Sequence, residues 1–186
     1  MGWIILAIVV ILVIAVISMY NDLVSRRVKV DNAWSQIDVQ LQRRFDLIPN
    51  FVETVKGYAA HESETFEKIT ELRTSWANAQ TVTEKAELDN QLSGALKTIM
   101  AVSENYPDLK ANQNFSELSE ELRNTENKIS FSRQFYNDSV TMYNQKLQLF
   151  PSNIIAGMFN FQPRELFAVE NAEVRKNVKV DFGKNA

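Results

Sequence analysis

Polar positions vanish from the first part of the chain. Trp3 to Ile17 are apolar without interruption, and Gly2 to Tyr20 carry no charged side chain. At about 1.5 Å per residue, such a helix covers most of a ~30 Å hydrocarbon core. Trp3 and Tyr20 bracket the run where amphipathic rings favour the two headgroup regions, and Asn21 and Asp22 mark its exit into water. Neither a basic n-region nor a small-x-small cleavage site accompanies it, so the pattern predicts a retained transmembrane helix over 2–20.

From Val30 the pattern changes to alternating spacings of three and four: Val30, Trp34, Ile37, Leu41, Arg44, Ile48, Phe51, Val55, Tyr58. This is the 3.5-residue seam of a coiled coil. No turn signal separates Tyr20 from Val30, so the span is expected to run straight into the seam as a stalk. Pro49 lacks the N–H that would reach the carbonyl of Phe45, which predicts a kink near Asp46 to Pro49 rather than a stop. Gly57 and the polar run His61, Glu62, Ser63, Glu64 mark a bend or break. Phe66, Ile69, Leu72 and Trp76 then restore helical periodicity, as one bent helix or as two.

Thr81 with Glu84 makes a capping box for a helix seamed by Leu88, Leu92, Ala95, Ile99, Val102 and Tyr106 and ended by Pro107; it is expected to run antiparallel to the first. Asn114 with Glu117 reads as a second box, opening a seam from Phe115 to Phe150 that predicts about 36 helical residues before Pro151. One column of that seam is large (Phe115, Leu122, Ile129, Tyr136, Tyr143, Phe150). The other shrinks to Thr125, Ser132 and Ser139, small hydroxyls expected to let a neighbour approach closely and to bond back to their own helix or across to the next, the alternative being a polar groove for a ligand. Ser152 to Phe161 places Ile154, Ile155, Met158 and Phe159 on one side of a short helix that could close the bundle, meet a second protomer or lie in a membrane interface. After Pro163 the residues, Val178, Val180 and Phe182 among them, read as an extended tail. The fold class is therefore all-α: a transmembrane helix (2–20), an antiparallel helical bundle (21–150), and a short amphipathic helix with an extended tail (151–186).

Composition agrees and narrows the chemistry. Five Gly and four Pro leave few turns for 186 residues. A net charge of −3 disfavours nucleic acid as a partner. There is no cysteine, and His61 is the single histidine, so neither a zinc-protease pair nor a di-iron Glu-x-x-His set can form. Phosphate-cradling loops and nucleophile elbows are missing as well. The expectation is a protein that is not an enzyme, with no cofactor, no metal and no small-molecule substrate.

Charge does carry two messages. Arg26, Arg27 and Lys29 follow the span and no Lys or Arg precedes it, which predicts an outside N-terminus and a cytoplasmic domain; the same cations could also meet anionic lipid. The second is a local concentration of polar residues around the proline: Arg43, Arg44, Asp46, Pro49, Asn50, Glu53 and Lys56. Arg44 sits on the seam itself, which predicts a carboxylate partner across the bundle, while the group as a whole is a candidate partner surface.

Three stretches carry a resemblance: YNDLVSRRVKVDNAWSQIDVQLQRRFDLIPNFVETVKGYAAHE from Tyr20 to Glu62, YPDLKANQNFSELSEELRNTENKISFSRQFYNDSVTMYN from Tyr106 to Asn144, and FPSNIIAGMFNF from Phe150 to Phe161. The chain resembles the LemA family of bacterial membrane proteins from residue 18 to residue 182, most weakly over Thr81 to Val102. The resemblance implies an inner-membrane helical bundle with its short N-terminal segment outside, and no catalytic residues. A related branch of that family acts in magnetosome membrane formation and others are associated with the envelope or stress. The implied role is membrane scaffolding, and a rigid stalk with an amphipathic appendage adds the expectation of self-association at the lipid bilayer; the alternative is an adaptor that uses the Arg43 to Lys56 surface to bind another membrane protein, such as a protease or export component.

Overall fold

The computed structural model describes residues 1–58 and 63–167, all helical or irregular, with no strand among them. Helix α1 (Gly2–Lys56) joins the apolar run to the first seam without interruption, 55 residues in all, and continues through Pro49. At 1.5 Å per residue it is about 80 Å long. The seam survives the proline because Ile48, Phe51, Val52 and Val55 stay buried on one face. Gly57 caps α1, so the second run is a separate helix, α2 (Ser63–Asn78). His61 and the tail segment containing Val178, Val180 and Phe182 lie outside the described residues.

Side-chain pairings give the helix directions. α2 descends along α1: Lys56 Nζ lies 5.9 Å from the Phe66 ring centre, and Phe45 stacks on Trp76 at 4.4 Å. α3 (Val82–Ser103) starts from the full Thr81/Glu84 capping box. It then climbs with α1, since Lys85 meets Asp38 and Asp89 meets Arg44. The expected antiparallel arrangement of α1 and α3 is thus corrected to parallel: the break after Gly57 makes α2 the descending partner. Leu92, Ala95 and Ile99 of the expected seam are buried, but the buried face of α3 also takes in Ala86, Asp89, Leu96 and Ser103, while Leu88 and Val102 are only partly covered.

A single turn, α4 (Pro107–Lys110), buries Leu109 and leads into α5 (Gln113–Gln148), which has the expected 36 residues. Its N-cap is Asn112, whose side chain accepts from Phe115 N, rather than Asn114 two residues on. The same Asn112 donates to the Tyr58 hydroxyl and so ties the turn to the top of α1. α5 descends the whole stalk: Phe51 pairs with Phe115, Trp34 with Tyr136, and Asp22 with Lys146. Thr125 and Ser139 bond back to the carbonyls of Leu122 and Phe135 and so bury their hydroxyls without an external partner. Phe150 lies past the end of the helix and is exposed, so the seam stops at Tyr143 and does not include it.

The last helix, α6 (Ser152–Met158), ends in a Schellman motif. Asn160 adopts φ 54°, Phe161 N donates to Ala156 O, and Asn160 N donates to Gly157 O. That turn sends the chain back along α5 as an extended segment reaching Phe167.

Candidate functional site

Three parts of the structure are candidates, two of them holding residues that the sequence singles out. The first is the buried charge in the upper bundle. Arg44 is 1% exposed, and its Nη1 donates to Asp89 Oδ1 at 2.6 Å; Glu126 lies 3.6 Å from Nη2, while Nε has no partner among the described residues. Burial pushes the Asp89 carboxyl above its ordinary value, more than the charge and hydrogen bond of Arg44 pull it down. Arg44 therefore faces inward and belongs to the register of the bundle. It does not share a surface with the others in its group. Arg43 pairs with Glu121, Asp46 accepts from Gln42, and Lys56 covers Phe66. Asn50 and Glu53 do share a groove of about 520 Å³ with Asn114, Glu117 and Glu121, and its charged lining is acidic. Asp89 was missed in the sequence. An acid spaced three before Leu92 and seven before Leu96, opposite an arginine on another seam, was the available signal.

The second is the face between α1 and α5 turned away from the extended segment. Phe131 is 78% exposed there, and with Val39, Gln36, Gln40 and Lys128 it lines a groove of about 670 Å³. Periodicity placed neither Phe131 nor Val39 on a seam, because each lies on the outer side of its helix.

The third is the membrane end. Trp3 and most side chains up to Ile17 are exposed in the single chain, and α1 is long and apolar enough there to cross a membrane. Of the three cations, Arg26 pairs with Asp22 at 3.0 Å, Arg27 lies over Phe161 and Lys29 over Phe135. Burial raises the Asp22 pKa, but hydrogen bonds from Lys146 and Arg26 outweigh it, leaving that carboxyl below its ordinary value. Ile155 is buried with Ala156 against the bundle, whereas Ile154, Met158 and Phe159 are exposed, so the four apolar residues of α6 divide between two faces.

The extended segment is held by an unanticipated device. Asn137 exchanges two hydrogen bonds with the backbone of Phe167, and Asn144 does the same with Arg164. The hydroxyls of Tyr136 and Tyr143 add bonds to the carbonyls of Glu165 and Gln162. Two asparagines seven apart span about 10.5 Å of helix, close to the reach of three extended residues. Among the described residues no group of three or more His, Cys, Asp or Glu side chains is placed to hold a metal ion.

A helical bundle continuous with an N-terminal apolar helix defines a class of anchored all-α proteins. The sequence model of the LemA family matches residues 33–182, and the chain belongs to that family. It is 28% identical to Protein LemA of Metamycoplasma hominis over 82% of this chain and 70% of that protein. It is 26% identical to Magnetosome protein MamQ 2 of Paramagnetospirillum magneticum, over 80% of this chain and 64% of the relative. With Magnetosome protein MamQ of Magnetospirillum gryphiswaldense it shares 25% identity, over 82% of this chain and 63% of the relative. The chain thus spans less than two thirds of the length of these magnetosome proteins. The apolar helix and the magnetosome relatives together point to a membrane location.

Proposed function

We propose that this protein is a non-enzymatic scaffold of the bacterial inner membrane, with its N-terminus outside and its bundle in the cytoplasm, where copies pack side by side. The observation that carries the reading is the Val39/Phe131 groove: two exposed apolar side chains in an open cleft, otherwise lined by polar side chains, on the flank of α1 and α5. Arg26, Arg27 and Lys29 support the cytoplasmic side for the bundle. The relatives named as magnetosome proteins support a role in membrane organisation.

Because the chain has no cysteine, single cysteines report contacts cleanly. Phe131→Cys in membranes is expected to give covalent dimers with a short bis-maleimide, well above the level from Glu71→Cys on the outer side of α2. Equal yields would defeat the scaffold reading. A second reading, an adaptor for another membrane protein, is favoured by the acidic groove at Asn50, Glu53, Glu117 and Glu121, which suits a basic segment. Capture of a different membrane protein from Asn50→Cys, with no self-dimer from Phe131→Cys, would select it.

A further inference from the structure

We infer that the foot of the bundle is a second membrane contact: Leu149, Phe150 and the outer face of α6 lie in the interfacial layer of the leaflet from which α1 emerges. The inference rests on the membrane-anchor part of the proposed function and adds a lipid-binding surface to it.

Position is the first argument. Tyr20 ends the apolar run, and the ring of Phe159 lies 4.8 Å from it and that of Phe161 5.7 Å. Lys146 meets Asp22 at 3.1 Å on a helix descending toward the membrane. Leu149, the C-cap of α5, follows by three residues, which at 1.5 Å per residue carries it about 5 Å further, level with the last apolar residues of the span, and Phe150 comes next in the chain.

Surface chemistry is the second. α6 divides its residues: Ser152, Ile155 and Ala156 are buried on the bundle side. Closing the bundle requires nothing apolar on the other side, yet Ile154, Met158 and Phe159 are exposed there, Met158 at 71%. Phe150, two residues before α6, is 80% exposed. Leu149, Phe150, Ile154, Met158 and Phe159 thus leave five large apolar side chains exposed at one end of the bundle, next to an apolar span, which calls for a cover other than water. Aromatic and aliphatic groups at this depth match the headgroup and acyl boundary.

Charge is the third. No acidic residue occurs between Asp138 and Glu165, the stretch that contains the whole foot, while Lys146 and Arg164 fall within it. Arg26 and Arg27 flank it on α1. Asp22 on α1 is held by both Lys146 and Arg26, so with Arg27 this rim keeps more cations than carboxylates among the described residues, which suits an anionic leaflet. With α1 and the foot both seated, the stalk has two attachment points and its tilt is fixed.

The test is depth measurement on the intact chain in vesicles of phosphatidylethanolamine and phosphatidylglycerol, with a nitroxide on one introduced cysteine at a time. Met158→Cys and Phe150→Cys are the probes, Val10→Cys the reference in lipid and Glu71→Cys the reference in water. The expected result is an oxygen-to-nickel-chelate accessibility ratio at 150 and 158 severalfold above that at 71 and approaching that at 10. A lipid signal at 10 with a water signal at 150 and 158 overturns the foot and spares the anchor. Labels at 150 and 158 that neither reagent reaches show cover by protein and likewise overturn it. A water signal at 10 overturns anchor and foot together.

Discussion

The upper and lower halves of the bundle solve the same problem with different chemistry. Above Ile37, four helices surround a core in which Arg44 and Asp89 are buried as an ion pair. Below it, α1 and α5 continue as two helices, and the third layer is a strip of extended backbone clasped by Asn137 and Asn144. Two helices alone leave an open flank, and an extended segment covers it only if its peptide groups find partners. Side-chain amides suit this because each offers both a donor and an acceptor to one peptide unit. The upper half can hide a charge because it has enough helices to enclose it; the lower half remains slender where α1 runs on into its apolar segment.

The sharpest break of this contrast is expected at the buried charge. Asp89→Ala leaves Arg44 with only the more distant Glu126 and is expected to cost about 3–5 kcal/mol in chemical denaturation of the detergent-solubilised protein. Arg44→Leu combined with Asp89→Leu is expected to return near the parental value, because the apolar pair removes both desolvation penalties. A double variant as unstable as the single one would mean that the pair supplies more than register.

Replacing Asn144 by Ala is expected to cost about 2 kcal/mol, two hydrogen bonds at about 1 kcal/mol each. Hydrogen exchange separates this from a global effect: the Arg164 amide, which donates to Asn144, should exchange faster while amides of α2 and α3 keep their rates. Thr81→Ala, which removes the acceptor for Glu84 N, is expected to cost about 1 kcal/mol. The smallest effect belongs to Glu84. Backbone hydrogen bonds from Thr81 and Gln80 hold its carboxyl below the ordinary glutamate value. Its contribution is therefore present above the unfolded pKa and lost as pH falls through the lower folded value. Glu84→Gln should flatten that acid limb of the melting temperature against pH.

Much of this contrast was legible before the structure. Hydropathy marked the span, the seam from Val30 to Val55 marked the inner face of α1, and Thr81 with Glu84 marked the start of α3. These are local signals, carried by spacing within one helix. The direction of α3 was not legible, because it depends on whether the chain breaks or bends after Gly57, and spacing is the same in either case. The partner of Arg44 was half legible: an arginine on a seam calls for a carboxylate, but spacing on α1 does not say which helix supplies it. The asparagine clasps were invisible because Asn137 and Asn144 read as ordinary polar positions until an extended segment lies beside them. The Val39/Phe131 flank escaped for a similar reason, since periodicity finds the faces a chain buries in itself.

The claim on which the functional account turns is association of copies through that flank. It is tested most directly by extracting the protein with its surrounding lipid in native nanodiscs and measuring particle mass by mass photometry, for the parental chain and for Phe131→Asp. The account predicts particles holding several copies that fall to single copies in the variant. Particles with one copy in both would contradict it.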